Sequence, residues 1–162
     1  MTQDETQQGF SIELSPLWSL ISQVKDKVNG LMQGYSQGQI DFAVMVMSEL
    51  MENAIKYGVS HTELPYVGIT FVLDEGIVTI TISNGIYDEE QIQDFLKIMD
   101  KIIASENKEE LYIMRMQEIL EHPEVGGSQL GLYRITSEAM YDLSYTIENK
   151  ILTINATKKM EG

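Results

Sequence analysis

The chain has 162 residues, no cysteine, two histidines and a formal net charge of −14 at pH 7. The absence of cysteine excludes disulfides, cysteine-ligated zinc and thiol chemistry, and two histidines exclude a histidine-rich metal site. The charge argues against nucleic acid, whose binding rests on neutralising phosphates with Lys and Arg, and it would repel an anionic membrane surface; it permits a basic protein partner, and its plainest effect is solubility.

The length suits one domain around one core, and 43% hydrophobic residues is a globular composition. No apolar run is long enough for a membrane span. Residues 1–9 are polar and acidic, without the basic and apolar regions of a signal peptide, which favours the cytoplasm; they read as a disordered tail. A single domain is expected over residues 10–157, followed by a frayed tail at 158–162.

Residues 10–14 (Phe-Ser-Ile-Glu-Leu) alternate apolar and polar and predict a short strand. Ser15-Pro16 is a helix start, a capping hydroxyl followed by proline at the first helical position. Leu17, Leu20, Ile21, Val24, Val28 and Leu31 give that helix an apolar stripe, ending near Gln33-Gly34. A second helix starts near Ser36. Ile40, Ala43, Val44, Met47, Leu50, Met51 and Ala54 recur at spacings of three and four and line one face. Glu49, Asn53 and Lys56 follow at i, i+4 and i+7 on the other side. Phe42 and Val46 lie near this polar row, so that side is expected to be covered too. Gly58 stops the helix, as glycine past a helix end commonly does.

Residues 59–65 form a loop in which His61 reads as a surface residue. Residues 66–73 and 77–83 are β-rich and joined by Asp74-Glu75-Gly76, which predicts a hairpin. Its second strand runs into Ser83-Asn84-Gly85, where Asn and Gly suit a turn. Asp88 is expected to cap the next helix, with Glu89 and Glu90 in its first turn. Ile92, Phe95, Leu96, Met99, Ile102 and Ile103 form its buried stripe. After a polar joint at 104–108, a second helical stretch covers 109–121, with Ile113, Met116 and Leu120 at helical spacing; His122-Pro123 ends it. Met99, Met114 and Met116 read as core filler.

Gly126-Gly127-Ser128-Gln129-Leu130-Gly131-Leu132 then opens a helix that is expected to continue through Ile135, Thr136, Ala139 and Met140. Glycines let a backbone approach phosphate, and free amides at a helix N-terminus favour anions. Residues 143–148 and 151–156 close the chain as two strands joined by Asn149-Lys150. Sheet-plus-helix layering follows from these patterns.

Glu49-x-x-x-Asn53-Ala54-x-Lys56-Tyr57-Gly58 resembles the N-box of the GHKL family, the gyrase, heat-shock chaperone, histidine kinase and MutL ATPases. Gly127, Leu130, Gly131 and Leu132 match that family's Gly-x-Gly-Leu-Gly-Leu box, with Gln129 in place of the middle glycine. Ser83-Asn84-Gly85 stands where the family carries Asp-x-Gly-x-Gly, without the second glycine; Ser83 or Asn84 replaces the Asp that accepts from the adenine amino group. Over roughly residues 10–157 the resemblance implies an α+β, two-layer sandwich, with helices on one face of a mixed, mostly antiparallel sheet. It implies ATP and Mg²⁺ as ligands. Glu49 would be the general base, Asn53 the Mg²⁺ holder and Lys56 the group approaching phosphate. Ser83, Asn84 and Gly85 would lie at the adenine, and Gly127, Leu130 and Gly131 would cradle the phosphates.

The chain has no room for a dimerisation helix pair bearing a phosphoacceptor His. It is similar instead to the small standalone GHKL proteins of bacterial partner-switching, such as the anti-sigma-factor serine kinases. Leu111-Tyr112 followed by Gly-Gly-x-x-Leu-Gly-Leu also resembles the small protein kinases of the Sia biofilm-signalling type. The implied role is phosphorylation of a small antagonist-type or sigma-factor-like protein on Ser or Thr, or its sequestration, with a homodimer left open. The competing reading is a degenerate GHKL-fold docking module that regulates by protein–protein binding without nucleotide.

Overall fold

The computed structural model describes residues 7–14, 21–62, 64, 67–123 and 130–160. Ser15, Pro16, Leu17, Leu20, Tyr66 and the loop residues Gly126, Gly127, Ser128 and Gln129 lie outside the described residues. In chain order the elements are β1 (Gln7–Leu14), α1 (Ile21–Leu31), α2 (Gln37–Tyr57), β2 (Val67–Asp74), β3 (Ile77–Gly85), α3 (Gln93–Ala104), α4 (Lys108–Glu121), α5 (Leu130–Ser137), β4 (Asp142–Glu148) and β5 (Ile151–Lys159). The five strands form one sheet in the order β1-β2-β3-β5-β4. Every neighbouring pair is antiparallel, so the expectation of a mixed sheet is corrected.

Turn chemistry explains two of these pairings. Glu75 and Gly76 have φ of 50° and 77°, and Asn149 and Lys150 have φ of 51° and 60°. Two left-handed residues in a two-residue loop match the twist of the strands they join, and so fix β2/β3 and β4/β5 as hairpins. The sheet then buries one face by alternation: Ile69 and Phe71 on β2, Ile80 and Ile82 on β3, Ile154 and Ala156 on β5. These residues share a single core with Val24 and Val28 of α1, Met47, Leu50 and Met51 of α2, Phe95, Met99 and Ile102 of α3, and Leu132 and Ile135 of α5. The fold is thus α+β in two layers, with helices against one sheet face.

The other sheet face is hydroxylated. Ser11 and Thr70 lie 3.3 Å apart on β1 and β2, Thr81 donates to Asn155 at 2.8 Å, and Ser83 and Thr153 meet at 2.8 Å. Cross-strand pairs of this kind stabilise a sheet modestly without apolar burial.

α2 begins with a reciprocal cap. The Gln39 amide donates to Ser36 Oγ, and the Ser36 amide donates to Gln39 Oε1, each at 3.2 Å. Val46, on the polar side of the stripe, is buried, as expected from its place beside Phe42. Gly58 ends the helix with its amide on the Ala54 carbonyl at 2.8 Å. Its φ of −73° is one any residue adopts, so left-handedness does not explain the glycine. Space does: a Cβ there would collide with the Ala54 carbonyl and lie 3.2 Å from Asn84 Cβ.

Several element ends differ from the sequence expectation. β1 starts at Gln7, within the expected tail, because Gln7 pairs with Asp74. β5 runs to Lys159 because Lys158 and Lys159 pair with Val78 and Ile77, and buried Met160 donates its amide to Gly76 at 2.7 Å. Asp88 accepts from the Gln91 amide at 2.8 Å, so it caps a turn that precedes α3; the helix itself starts at Gln93 without a side-chain cap. α5 ends at Ser137, and Met140 has a left-handed φ of 59° outside it and is largely exposed. Met99 is core filler as expected, but Met114 is exposed, because α4 packs on the core only partly, through Leu111 and Tyr112, and Met114 lies off that side.

The hydroxyl of Tyr141 is buried with no hydrogen-bond partner among the described residues, and burial drives its proton affinity far upward. Tyr141→Phe keeps the ring and removes an unsatisfied group. It is expected to raise stability by about 1 kcal/mol, read as a higher urea midpoint at unchanged slope. A lower midpoint would mean that the hydroxyl has a partner in solution.

Candidate functional site

Three segments distant in sequence meet around α2. The first contact is between Glu49 and Gly131. A Cβ built on Gly131 would fall on the Glu49 carboxylate, so the carboxylate occupies the space that any other side chain at 131 would need. This places Glu49 against the first turn of α5, where free amides and the helix dipole favour a negative charge. Two motifs 82 positions apart in the chain (131 − 49) are therefore in direct contact.

The second contact is at the far end of the helix. Asn84 is buried at the end of β3 against Gly58, and its side-chain amide donates to the Gly85 carbonyl at 3.0 Å. The Val59 amide donates to that same Gly85 carbonyl at 2.8 Å. A Cβ on Gly85 would collide with the Val59 carbonyl and lie 2.9 Å from His61 Cβ. His61, expected as a surface loop residue, is half-buried against this strand end. Tyr57 then packs on Phe95 of α3, ring centroids 5.1 Å apart.

The remaining candidates divide by position. Asn53 is half-buried one turn beyond Glu49, between the two contacts. Lys56 is exposed, with Nζ 5.2 Å from the centroid of the Tyr57 ring. Leu130 is half-buried at the start of α5. Ser83 is separated from the rest: it alternates with Asn84, so its hydroxyl lies on the outer sheet face beside Thr153. Gly127 is outside the described residues.

Electrostatics single out Glu49. Burial raises its proton affinity above the ordinary carboxylate value; the nearby Glu52 charge raises it further, and the Arg134 guanidinium lowers it. Arg134 had no assigned role in the sequence, yet it follows Gly131 by three positions and so lies on the same side of α5. It also pairs with Glu138, Nε to Oε2, at 3.2 Å. Tyr112 of α4 is hydrogen-bonded to Glu138, and burial and the Glu138 charge push its phenol up. Arg134 thus links the carboxylate of α2 to an α4–α5 contact.

The raised proton affinity carries a sign. A carboxyl that binds its proton more tightly folded than unfolded adds stability below the ordinary value of 4.5, and that stability is lost as pH rises through the raised value. At neutral pH, Glu49 is thus a cost to the fold. Glu49→Gln is expected to be more stable than the native chain at neutral pH, with the difference vanishing in acid. Urea midpoints across that range check this, and a constant difference at all pH would contradict it.

Among the described residues, no group of three acidic or histidine side chains could hold a metal ion by itself. No helix among them is long and apolar enough to cross a membrane. Comparison with known proteins yields no matching family model and no matching curated protein.

Proposed function

We propose that the chain is an ATP-binding regulatory protein of the GHKL type in bacterial signalling, acting on Ser or Thr of a small antagonist-type protein. The observation that carries this reading is the contact between Glu49 and Gly131. The resemblance assigns these residues to two separate boxes of one nucleotide site, and nothing in the spacing of a long chain would bring them together by itself.

The residues suit the ligands. The space at Gly131 is taken by the Glu49 carboxylate, so phosphate would be held by backbone amides at the start of α5, where the helix dipole favours an anion, and not by that space. Asn53 offers a carboxamide oxygen to Mg²⁺, with phosphate oxygens needed to complete its coordination. Lys56, exposed one turn on, can swing toward a phosphate, and Asn84 would stand at the adenine end. Mg²⁺ bound with ATP supplies neutralisation of phosphate charge.

Glu49 accepts the partner's hydroxyl proton as the Ser or Thr oxygen bonds to the γ-phosphorus and the bond to the ADP oxygen breaks. A carboxylate with raised proton affinity is better matched to that task than an ordinary one. The Arg134 guanidinium offsets part of that rise. The test is calorimetric titration of the full chain with ATP, with and without Mg²⁺. Magnesium-dependent heat is the expected result, and no heat at millimolar ATP would sink the reading.

One observation favours a nucleotide-independent docking module instead. The Asn84 amide is buried and satisfied by the Gly85 carbonyl, so it is not presented to an adenine without rearrangement. In that reading Glu49 and Asn53 are structural, and regulation is by protein–protein binding alone.

A further inference from the structure

α4 buries none of its residues, and its charges are sorted by side. Ile113 and Leu120 are two turns apart and share one side; they are 43% and 80% exposed, and Met114 beside them is 54% exposed. Glu109 borders Ile113 and Leu120 on one side, Glu110 and Glu121 lie on the other, between them and Met114, and all three carboxylates are exposed. Both cations of the helix lie on the opposite side, again two turns apart. Lys108 donates to the carbonyls of Ile102 and Ile103 at the end of α3. Arg115 pairs with Glu118 at 3.3 Å and is only 11% exposed. A groove of about 380 Å³ runs along the outer side, lined by Asn107, Glu109, Glu110, Ile113, Met114 and Gln117.

An apolar strip with a purely acidic border is an unusual helix exterior. Solubility alone accounts for the carboxylates but not for three large exposed apolar side chains in their midst. Core packing does not account for them either, since the inward side of α4 is the one that meets α3 and α5. We infer that the outer side of α4 is a docking surface for a basic amphipathic helix of a partner protein, its apolar side chains seated on Ile113, Met114 and Leu120 and its Lys and Arg residues facing Glu109, Glu110 and Glu121. A second copy of this chain does not fit: it would set acidic border against acidic border between molecules of charge −14. Two helices packed side by side use the i, i+7 spacing that Ile113 and Leu120 provide. This inference uses no residue of the nucleotide reading and stands or falls without ATP.

The experiment titrates the ¹⁵N-labelled full chain, without nucleotide, with synthetic helical peptides of about five turns. One has a leucine strip bordered by Lys and Arg, one the same strip bordered by Glu, and one the basic composition scrambled to abolish the strip. The expected result is amide shifts over residues 109–121 with the first peptide only. Affinity is expected to fall about tenfold or more in the Ile113→Asp, Leu120→Asp double variant. The triple variant Glu109→Gln, Glu110→Gln, Glu121→Gln, which leaves the apolar strip intact, is also expected to bind more weakly and with less salt dependence. Equal binding of the scrambled or the acidic peptide, shifts confined to other elements, or self-association of the chain that the double variant removes would each overturn the inference.

Discussion

Gly85→Ala is expected to destabilise the chain by about 2–4 kcal/mol, since overpacking and a lost buried hydrogen bond add. The added methyl would meet the Val59 carbonyl, and His61 Cβ lies 2.9 Å away. Both are backbone or near-backbone atoms and cannot swing aside. Relief requires parting the Val59–Gly85 bridge, whose amide-to-carbonyl hydrogen bond is 2.8 Å long, and with it the seam between the end of α2 and the end of β3. The same substitution at Gly131 meets only the tip of the Glu49 side chain. That tip can rotate, so Gly131→Ala is expected to cost under about 1 kcal/mol while displacing the carboxylate. Thermal or urea unfolding of the two variants separates them. Equal losses would mean that Glu49 is held as rigidly as backbone.

The contrast between these two glycines shows where sequence reasoning reaches its end. Both were legible as glycines in suggestive boxes, but the atoms they make room for belong to distant segments, and no local pattern names a distant neighbour. Local patterns did locate the helices, because alternate burial and helical spacing are properties of a few consecutive residues. The helix start near Ser36, the two hairpin turns and the covered position of Val46 follow from such spacing. Element ends followed less well. Gln7 joins β1 and Lys158 joins β5 because each has a partner strand, and pairing is a long-range fact. Met114 departs from its expected place for a related reason: periodicity gives an apolar side to α4 but does not say whether anything covers it. Among the candidate residues, Glu49, Asn53 and Gly131 stand out by their motifs. Arg134 was not, since a lone arginine on a helix has no signature until its neighbour is known. Ser83 and Asn84 looked interchangeable in sequence, yet strand alternation sends them to opposite sheet faces.

Asn53→Ala is expected to remove the magnesium-dependent part of ATP binding, lowering affinity by about tenfold or more, as loss of a metal-supporting group commonly does. Its position between the Glu49–Gly131 contact and the Asn84–Gly58 contact makes it the one carboxamide of α2 that both ends of a bound nucleotide would flank. Asn53 is half-buried, so the variant's urea midpoint must be measured alongside; a binding loss at unchanged midpoint is the informative result. Glu49→Gln provides the complement. It preserves the shape and the contact with Gly131 but cannot take a proton. It is expected to bind Mg-ATP at least as well as the native chain, because it removes a negative charge from beside the phosphates. Transfer to a Ser or Thr acceptor would fall by about a hundredfold or more, the usual contribution of a positioned general base. Two variants one turn apart would thus separate binding from chemistry. If both bind ATP as the native chain does and differ from it only in stability, the nucleotide reading fails, and Glu49 is a structural wedge between α2 and α5.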